Sequence, residues 1–222
     1  MRPTLPAGGV GESPTPGRAH PIFAWFYAMF APRLEAKDGT RERRIALLSH
    51  AIGRVVEVGA GTGLNLPHYP PAVTDVVATE PDPHMFRRLA RALQTASVPV
   101  QVRRATAEAL PIEDGWADTV VCTLVLCSVR DPGRALAEAR RVLKPGGRLL
   151  LCEHVRGRAS LARWQDRFER PWGRLAGGCH PNRDTVGAVE AAGFELEELE
   201  RFDMRGALLA APHVQGVARR PG

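Results

Sequence analysis

The sequence predicts an α/β fold: a doubly wound, mostly parallel sheet of seven strands with helices on both faces. Three observations carry that expectation. Short apolar runs alternate with helical segments along most of the chain, the pattern of successive strand–helix–strand units. Residues 119–126 are nearly all apolar, as a strand covered on both faces must be. The first run ends in a glycine-rich loop at 59–63, where such folds bring backbone close to a ligand. With 222 residues, 44% of them hydrophobic and 24% charged, the chain suits one domain with a sizeable core. Fibrous and wholly disordered classes are excluded.

Residues 1–20 are rich in Pro, Gly, Ser and Thr and predict a disordered arm. Residues 21–222 read as a single domain. It opens on an aromatic helix over 21–37, where Ile22, Phe23, Trp25, Phe26, Tyr27, Met29 and Phe30 crowd together. That helix is expected as a lid over a substrate pocket, with core packing or an interfacial anchor as alternatives. A helix follows over 40–52. Strands are predicted at 54–58, 75–79, 98–103, 119–126 and 148–155. Between them lie helices at 82–96, capped by Asp82, and 132–143, stopped before Lys144-Pro145-Gly146-Gly147. Residues 156–181 read as irregular. Asn182 is expected to cap a helix that ends near Ala192, and 194–201 and 207–218 complete the seven strands.

The net charge is +6, but only Lys37 and Lys144 among the 30 basic residues are lysine, and the arginines are scattered. This is a compositional bias with a solvated basic surface, so the expected partner is a small molecule rather than nucleic acid. Cys122, Cys127, Cys152 and Cys179 form no CxxC pair, which fits a reducing compartment and a cytoplasmic location. No signal peptide is read, and the longest apolar stretch, 21–32, falls short of the ~20 residues a membrane span needs. Peripheral membrane contact through that stretch stays open, as does the oligomeric state. No acidic or histidine cluster has ligand spacing along the chain, so no metal is expected.

The loop reads Glu57-Val58-Gly59-Ala60-Gly61-Thr62-Gly63. A dinucleotide fingerprint would continue to Gly or Ala where this chain has Leu64. An acid two residues before the first glycine would repel a pyrophosphate and suits a cationic group instead. Glu80 closes the second strand, where an acid can accept both hydroxyls of a ribose. Together they favour a cationic nucleoside without phosphate, which describes S-adenosylmethionine.

On these residues the chain resembles the class I S-adenosylmethionine-dependent methyltransferases, with a Rossmann-like sheet, over roughly residues 40–155. Ala105-Thr106-Ala107-Glu108-Ala109-Leu110-Pro111 resembles the segment that contacts adenine in that family, with Thr106 in place of the usual acid. Residues 118–129 resemble its fourth strand. The resemblance implies cofactor contacts from Glu57, Gly59, Ala60, Gly61, Thr62, Gly63, Glu80, Pro81, Thr106, Ala107, Glu108, Thr123 and Leu124. Further strings resemble the methyltransferase-like alkyl thiol S-methyltransferases: Cys122-Thr123-Leu124-Val125-Leu126-Cys127-Ser128-Val129, Glu153-His154-Val155, Gly178-Cys179, and Pro212-His213. The membrane-anchoring N-terminal helix of that family is replaced here by the Pro/Gly arm, and His180 stands where another Cys is expected.

The activity implied is methyl transfer to a small, apolar thiol. A thiol of pKa ~8.5 needs only a modest base, and a neutral imidazole suffices. His154, at the carboxyl end of strand five, is the first candidate, followed by His180 and His213. Cys127 is read as a small wall residue, Cys122 and Cys152 as core. Trp164, Phe168 and Trp172 are candidates to wall the acceptor pocket. Two other readings remain: an N-, C- or O-methyltransferase acting on a phospholipid, quinone or natural product, and a non-catalytic protein that binds the cofactor.

Overall fold

The computed structural model describes residues 21, 23–25, 27–29, 39–204 and 206–222. The expected arm at 1–20 lies outside the described residues, and the expected aromatic helix at 21–37 lies partly so. Those of its residues that are described, between Pro21 and Met29, are helical.

The elements are α1 (Thr40–Leu48), β1 (Gly53–Val58), β2 (Val73–Thr79), α2 (Pro83–Ala92), β3 (Val100–Arg103), β4 (Ala117–Thr123), α3 (Pro132–Val142), β5 (Leu143–His154), α4 (Ala159–Leu175), α5 (Thr185–Ala191), β6 (Glu195–Asp203) and β7 (Pro212–Arg219). The strands form one seven-stranded sheet in the order β3-β2-β1-β4-β5-β7-β6. The first five run parallel, and β7 is antiparallel to both β5 and β6.

The side chains of the central strands alternate between two cores, as the two-residue period of a strand requires. Val56, Val120, Leu149 and Leu151 pack with Leu136 of α3 and Val189 of α5 on one face. Val55, Val76, Val121 and Leu150 pack with Leu48 of α1 and Leu89 of α2 on the other. Asp82 caps α2 by accepting the N–H groups of His84 and Met85, and Asp131 caps α3 through Arg134. Such caps satisfy donors that the first helical turn leaves open.

Three elements differ from expectation. The stretch read as irregular holds α4, a 17-residue helix with Pro171 inside it and no side-chain cap at its start. The cap of α5 is Asp184, which accepts the N–H of Gly187, while Asn182 donates instead to Asp166. β5 begins at Leu143, so the Lys-Pro-Gly-Gly string belongs to the strand; Leu143 pairs with Ala117 there, and Gly146 bonds Arg220 across the sheet end. Among the described residues, no helix is long and apolar enough to cross a membrane.

Candidate functional site

The loop after β1 is built from beneath. Glu57 is 1% exposed; its two carboxylate oxygens accept the Asn65 amide N–H at 2.8 Å and the Tyr69 hydroxyl at 2.9 Å. Asn65 also donates to Thr123 at 3.2 Å, tying the loop to the end of β4, and accepts from Arg44 of α1. Burial raises the Glu57 carboxyl to about 7, although Tyr69, Asn65 and Arg44 all pull it down. The acid read as a partner for the cofactor's amino group therefore lies under the loop. Nothing in the sequence spacing of Asn65, Tyr69 and Arg44 marks them as partners of Glu57.

Above it the chain turns through Gly59 and Gly61, both with φ of 60°, a left-handed conformation that suits glycine. A Cβ at Gly59 would come within 2.7 Å of Val125, whereas one at Gly61 would meet nothing within 4 Å. Gly59 is thus set by packing, and Gly61 by its turn beside open space. The Gly61 N–H donates to Glu80 Oε2 and the Asp82 N–H to Glu80 Oε1, each at 2.8 Å. Glu80 is 6% exposed, and burial raises it to about 7 against the pull of those two N–H groups. The Thr62 hydroxyl is buried without a hydrogen-bond partner. A buried carboxyl, an open glycine turn and an orphaned hydroxyl around one loop fit a nucleoside bearing hydroxyls and a cation. Pro81 leads from Glu80 into the cap of α2. Ala60 is buried against the second core, and Gly63 closes the turn by donating to Ala60.

The other named cofactor positions ring the same end of the sheet. Thr106 and Ala107 follow β3, in a turn closed by Ala109 N–H to the Thr106 carbonyl. Glu108 accepts the N–H groups of Arg130 and Asp131, so it joins that turn to the start of α3. Thr123 ends β4, and Leu124 has a φ of 58°, strained for a branched side chain and the kind of outlier that collects at functional sites.

The sheet end past β4 and β5 is organised by Glu153. This fully buried side chain accepts the N–H groups of Val125, Leu126 and Cys127 at 2.8, 2.9 and 3.2 Å. Burial, followed by the neighbouring Cys127, holds its carboxyl well above the usual range. The loop after β4 is thereby folded over β5, and Cys127 arrives beside His154. Cys127 Sγ and Cys179 Sγ each lie 3.3 Å from His154 Nδ1. Hydrogen bonding to Cys179, with burial, pushes Cys127 up to about 12. Cys179 is the lower member of the pair, brought down chiefly by its hydrogen bond with Cys127. Burial lowers the His154 ring, but its interactions with Cys127 and Glu153 outweigh this and raise it.

Of the three candidate histidines, two meet. His213 pairs with His154 across β5 and β7, its ring edge-on at 4.5 Å. Its Nδ1 lies 2.8 Å from the Ala211 carbonyl. The His180 ring instead engages Glu169 of α4 at 2.8 Å. Trp164 and Phe168 stack on one another on the exposed side of α4, leaving Trp172 as the aromatic residue of that helix beside the cluster. Phe23 of the N-terminal segment packs over Gly177, where an added Cβ would come within 2.5 Å of its ring.

Known proteins resemble this chain in sequence and in fold. Residues 56–151 match the family described as a methyltransferase domain. The chain is 36% identical over 209 residues to human thiol S-methyltransferase TMT1B, covering 88% of this chain and 85% of that protein. It is 36% identical over 171 residues to human thiol S-methyltransferase TMT1A, covering 74% and 69%. Among solved structures, an S-adenosylmethionine-dependent methyltransferase of Thermotoga maritima superposes with a TM-score of 0.65 at 22% identity, covering 90% of this chain and 99% of that one. A geranyl diphosphate methyltransferase in complex with S-adenosylmethionine gives 0.65 at 15% identity, covering 85% and 89%. With the sheet order and loop geometry, these likenesses decide the family: the chain belongs to the class I S-adenosylmethionine-dependent methyltransferases, as an enzyme near the thiol S-methyltransferases.

Proposed function

We propose that the enzyme moves a methyl group from S-adenosylmethionine to the sulfur of a small, apolar thiol. The observation that carries this reading is the meeting of Cys127, His154 and Cys179 past the carboxyl ends of β4 and β5, in a chain 36% identical to a thiol S-methyltransferase. The cofactor supplies a sulfonium methyl open to in-line displacement, so the protein has mainly to align the acceptor and exclude water. Glu80 takes the ribose hydroxyls, the turn of Thr106, Ala107 and Glu108 borders the adenine, and Glu57 acts from below by fixing the loop that faces the amino acid end. An acceptor thiol with pKa ~8.5 is only a few per cent ionised at neutral pH. His154 is the histidine placed to help remove its proton, held in orientation by His213. Phe23 of the aromatic segment packs over Gly177, two residues from Cys179, and adds apolar surface there.

Incubation with labelled S-adenosylmethionine and a panel of alkyl thiols, amines, phenols and phospholipid vesicles tests the reading. A methyl thioether is expected as the labelled product. Labelled amine, phenol or phospholipid with no thioether would overturn the thiol assignment. In the same assay, deletion of residues 1–32 is expected to leave S-adenosylhomocysteine affinity unchanged and lower transfer about tenfold, because water then reaches the acceptor. Full activity after deletion would show that the segment is no lid.

The raised carboxyls give the cofactor site a pH dependence. Between the ordinary carboxyl range and about 7, the folded protein holds protons at Glu57 and Glu80 that the unfolded chain releases. Their contribution to stability is present below pH ~4.5 and is lost as pH rises through about 7. Two ribose hydroxyls donate best to an ionised Glu80. Affinity for S-adenosylhomocysteine is therefore expected to rise about tenfold per pH unit up to pH ~7 and then level off. Calorimetry should show it, with proton release on binding below pH 7. Glu80→Ala is expected to weaken binding by about 1.5–3 kcal/mol and flatten the profile. A wild-type affinity that is flat between pH 5 and 8 would take Glu80 out of ribose binding.

A further inference from the structure

We infer that Cys127, His154 and Cys179 form a zinc site whose open fourth position takes the acceptor sulfur. The open-position part of this inference rests on the thiol reading above; the zinc site itself does not. One ligand atom from each of the three residues lies within 4.8 Å of the other two. Zinc–sulfur bonds of about 2.3 Å and zinc–nitrogen bonds of about 2.0–2.1 Å set tetrahedral N···S edges of about 3.6 Å. The two N···S separations here are each 3.3 Å, so each N···S pair need widen by only a few tenths of an ångström to match such an edge. Two thiolates and an imidazole are a borderline-soft, tetrahedral donor set, which favours zinc over the oxygen-seeking cations.

The three ligands come from three separate segments, and the protein fixes each before any ion arrives. Cys127 is held from both sides of its backbone. Its N–H donates to Glu153 at 3.2 Å, and its carbonyl accepts the His180 N–H at 2.7 Å. The second bond fastens the Cys179 segment to the Cys127 segment directly. Arg183 spans the same gap, donating to the carbonyls of Leu126 at 2.5 Å and Val129 at 2.7 Å. The His154 segment joins them where the Arg156 N–H donates to the Arg183 carbonyl at 3.0 Å. His213 braces the His154 ring edge-on. Ligands held by partners outside the ligand set are the mark of a built metal site.

Among the described residues, no fourth His, Cys or carboxylate joins the group. Structural zinc sites are closed by four protein ligands, whereas catalytic ones keep a position free. Cys127 follows Leu124 by three residues on the rim of β4, so the free position shares an end of the sheet with the cofactor loop. There an acceptor thiol binds as its thiolate: a zinc–sulfur bond forms and the S–H proton passes to water. The thiolate sulfur then forms a bond to the methyl carbon as the sulfonium S–C bond breaks, its electron pair staying on the departing S-adenosylhomocysteine. The methyl thioether carries no charge and leaves the ion. With the ion bound, His154 is a ligand and does not itself take the proton.

The test uses the full chain, freed of metal by a chelator under reducing conditions and titrated with zinc alone and with cobalt alone. About one zinc per chain is expected, bound well below micromolar. Cobalt should give the intense visible bands of a tetrahedral site and the ultraviolet charge-transfer bands of thiolate ligation. Cys179→Ser and His154→Asn should each weaken zinc by more than the 10–100-fold that losing a partner outside the ligand set costs, while thermal unfolding of the metal-free variants checks that they are folded. A small alkyl thiol added to the cobalt protein should shift its visible bands. Zinc affinity weaker than about 10 µM in the wild type, or binding indifferent to both variants, overturns the site whatever the acceptor proves to be. Tight zinc with thiolate bands that no thiol perturbs keeps the site and overturns the open position for the acceptor. Failure of the thiol reading appears separately, as labelled product on another acceptor in the panel assay.

Discussion

His154→Ala is expected to lower thiol methylation about 100-fold or more at pH 7, and far less at pH 9.5. The reasoning concerns the acceptor. At neutral pH only a few per cent of a free thiol with pKa ~8.5 is ionised, and the thiolate is the nucleophile. His154 stands 3.3 Å from two sulfurs, at the end of the strand that borders β4. Whether the imidazole removes the proton itself or holds an ion that stabilises the thiolate, its contribution is to supply thiolate. Above the acceptor's own pKa, thiolate forms without help and the variant should recover. A histidine that merely packs would cost the same factor at every pH. His154→Asn, which keeps a polar group near the Nδ1 position, guards against a collapsed pocket. A deficit of equal size at pH 7 and 9.5 in both variants would strip His154 of any part in activating the acceptor.

The second large effect falls on stability. Glu153→Ala should destabilise the fold by about 3 kcal/mol or more. It leaves three buried N–H donors without an acceptor, at roughly 1–3 kcal/mol for each such group when taken alone. For a chain of this size that corresponds to a fall in Tm on the order of 10 °C. Glu153→Gln separates charge from hydrogen bonding. Its carbonyl can still accept from Val125 and Leu126, which share one oxygen in the wild type; its amide group would face the Cys127 N–H. It should lose less than the Ala variant. An Ala variant within about 1 kcal/mol of wild type in denaturant titrations would mean that water replaces the carboxyl without penalty.

How far the molecule can be read from its chain depends on the range of the interaction. The central parallel strands are legible because burial on both faces leaves short apolar runs such as Val55-Val56, Val120-Val121-Cys122 and Leu149-Leu150-Leu151, and Asp82 announces α2 by local capping. α4 is not legible: it has no side-chain cap, carries Pro171 within it, and turns Trp164 and Phe168 outward, so its apolar pattern misleads. At the site, Glu57 and Glu80 can be picked out by their distance from the glycines. That Asn65 and Tyr69 occupy Glu57 cannot, because those bonds depend on how the loop doubles back. The Cys127–His154–Cys179 cluster is the extreme case. Its members are 27 and 25 residues apart in sequence, and the loop after β4, β5 and the turn after α4 must all be in place before their atoms converge. Scanning for metal-ligand spacing along the chain cannot see such a group. His213 was readable as a strand residue, but its contact with His154 exists only because β7 enters the sheet antiparallel beside β5.

That antiparallel strand also constrains how the protein emerges from the ribosome. β7 is made after β5 and β6 yet lies between them, with every residue from Pro212 to Arg219 paired to one or both neighbours. Until β7 leaves the exit tunnel, β5 has an uncovered edge and β6 has no strand to pair with. The cofactor half, from β1 to β4, can close on itself much earlier. Synthesis therefore passes through a stage in which one half is formed and the other presents a bare apolar strand edge, the kind of template that recruits other chains. Slowing translation just ahead of β7 should prolong that stage and lower the soluble yield, and a chaperone that shields strand edges should restore it.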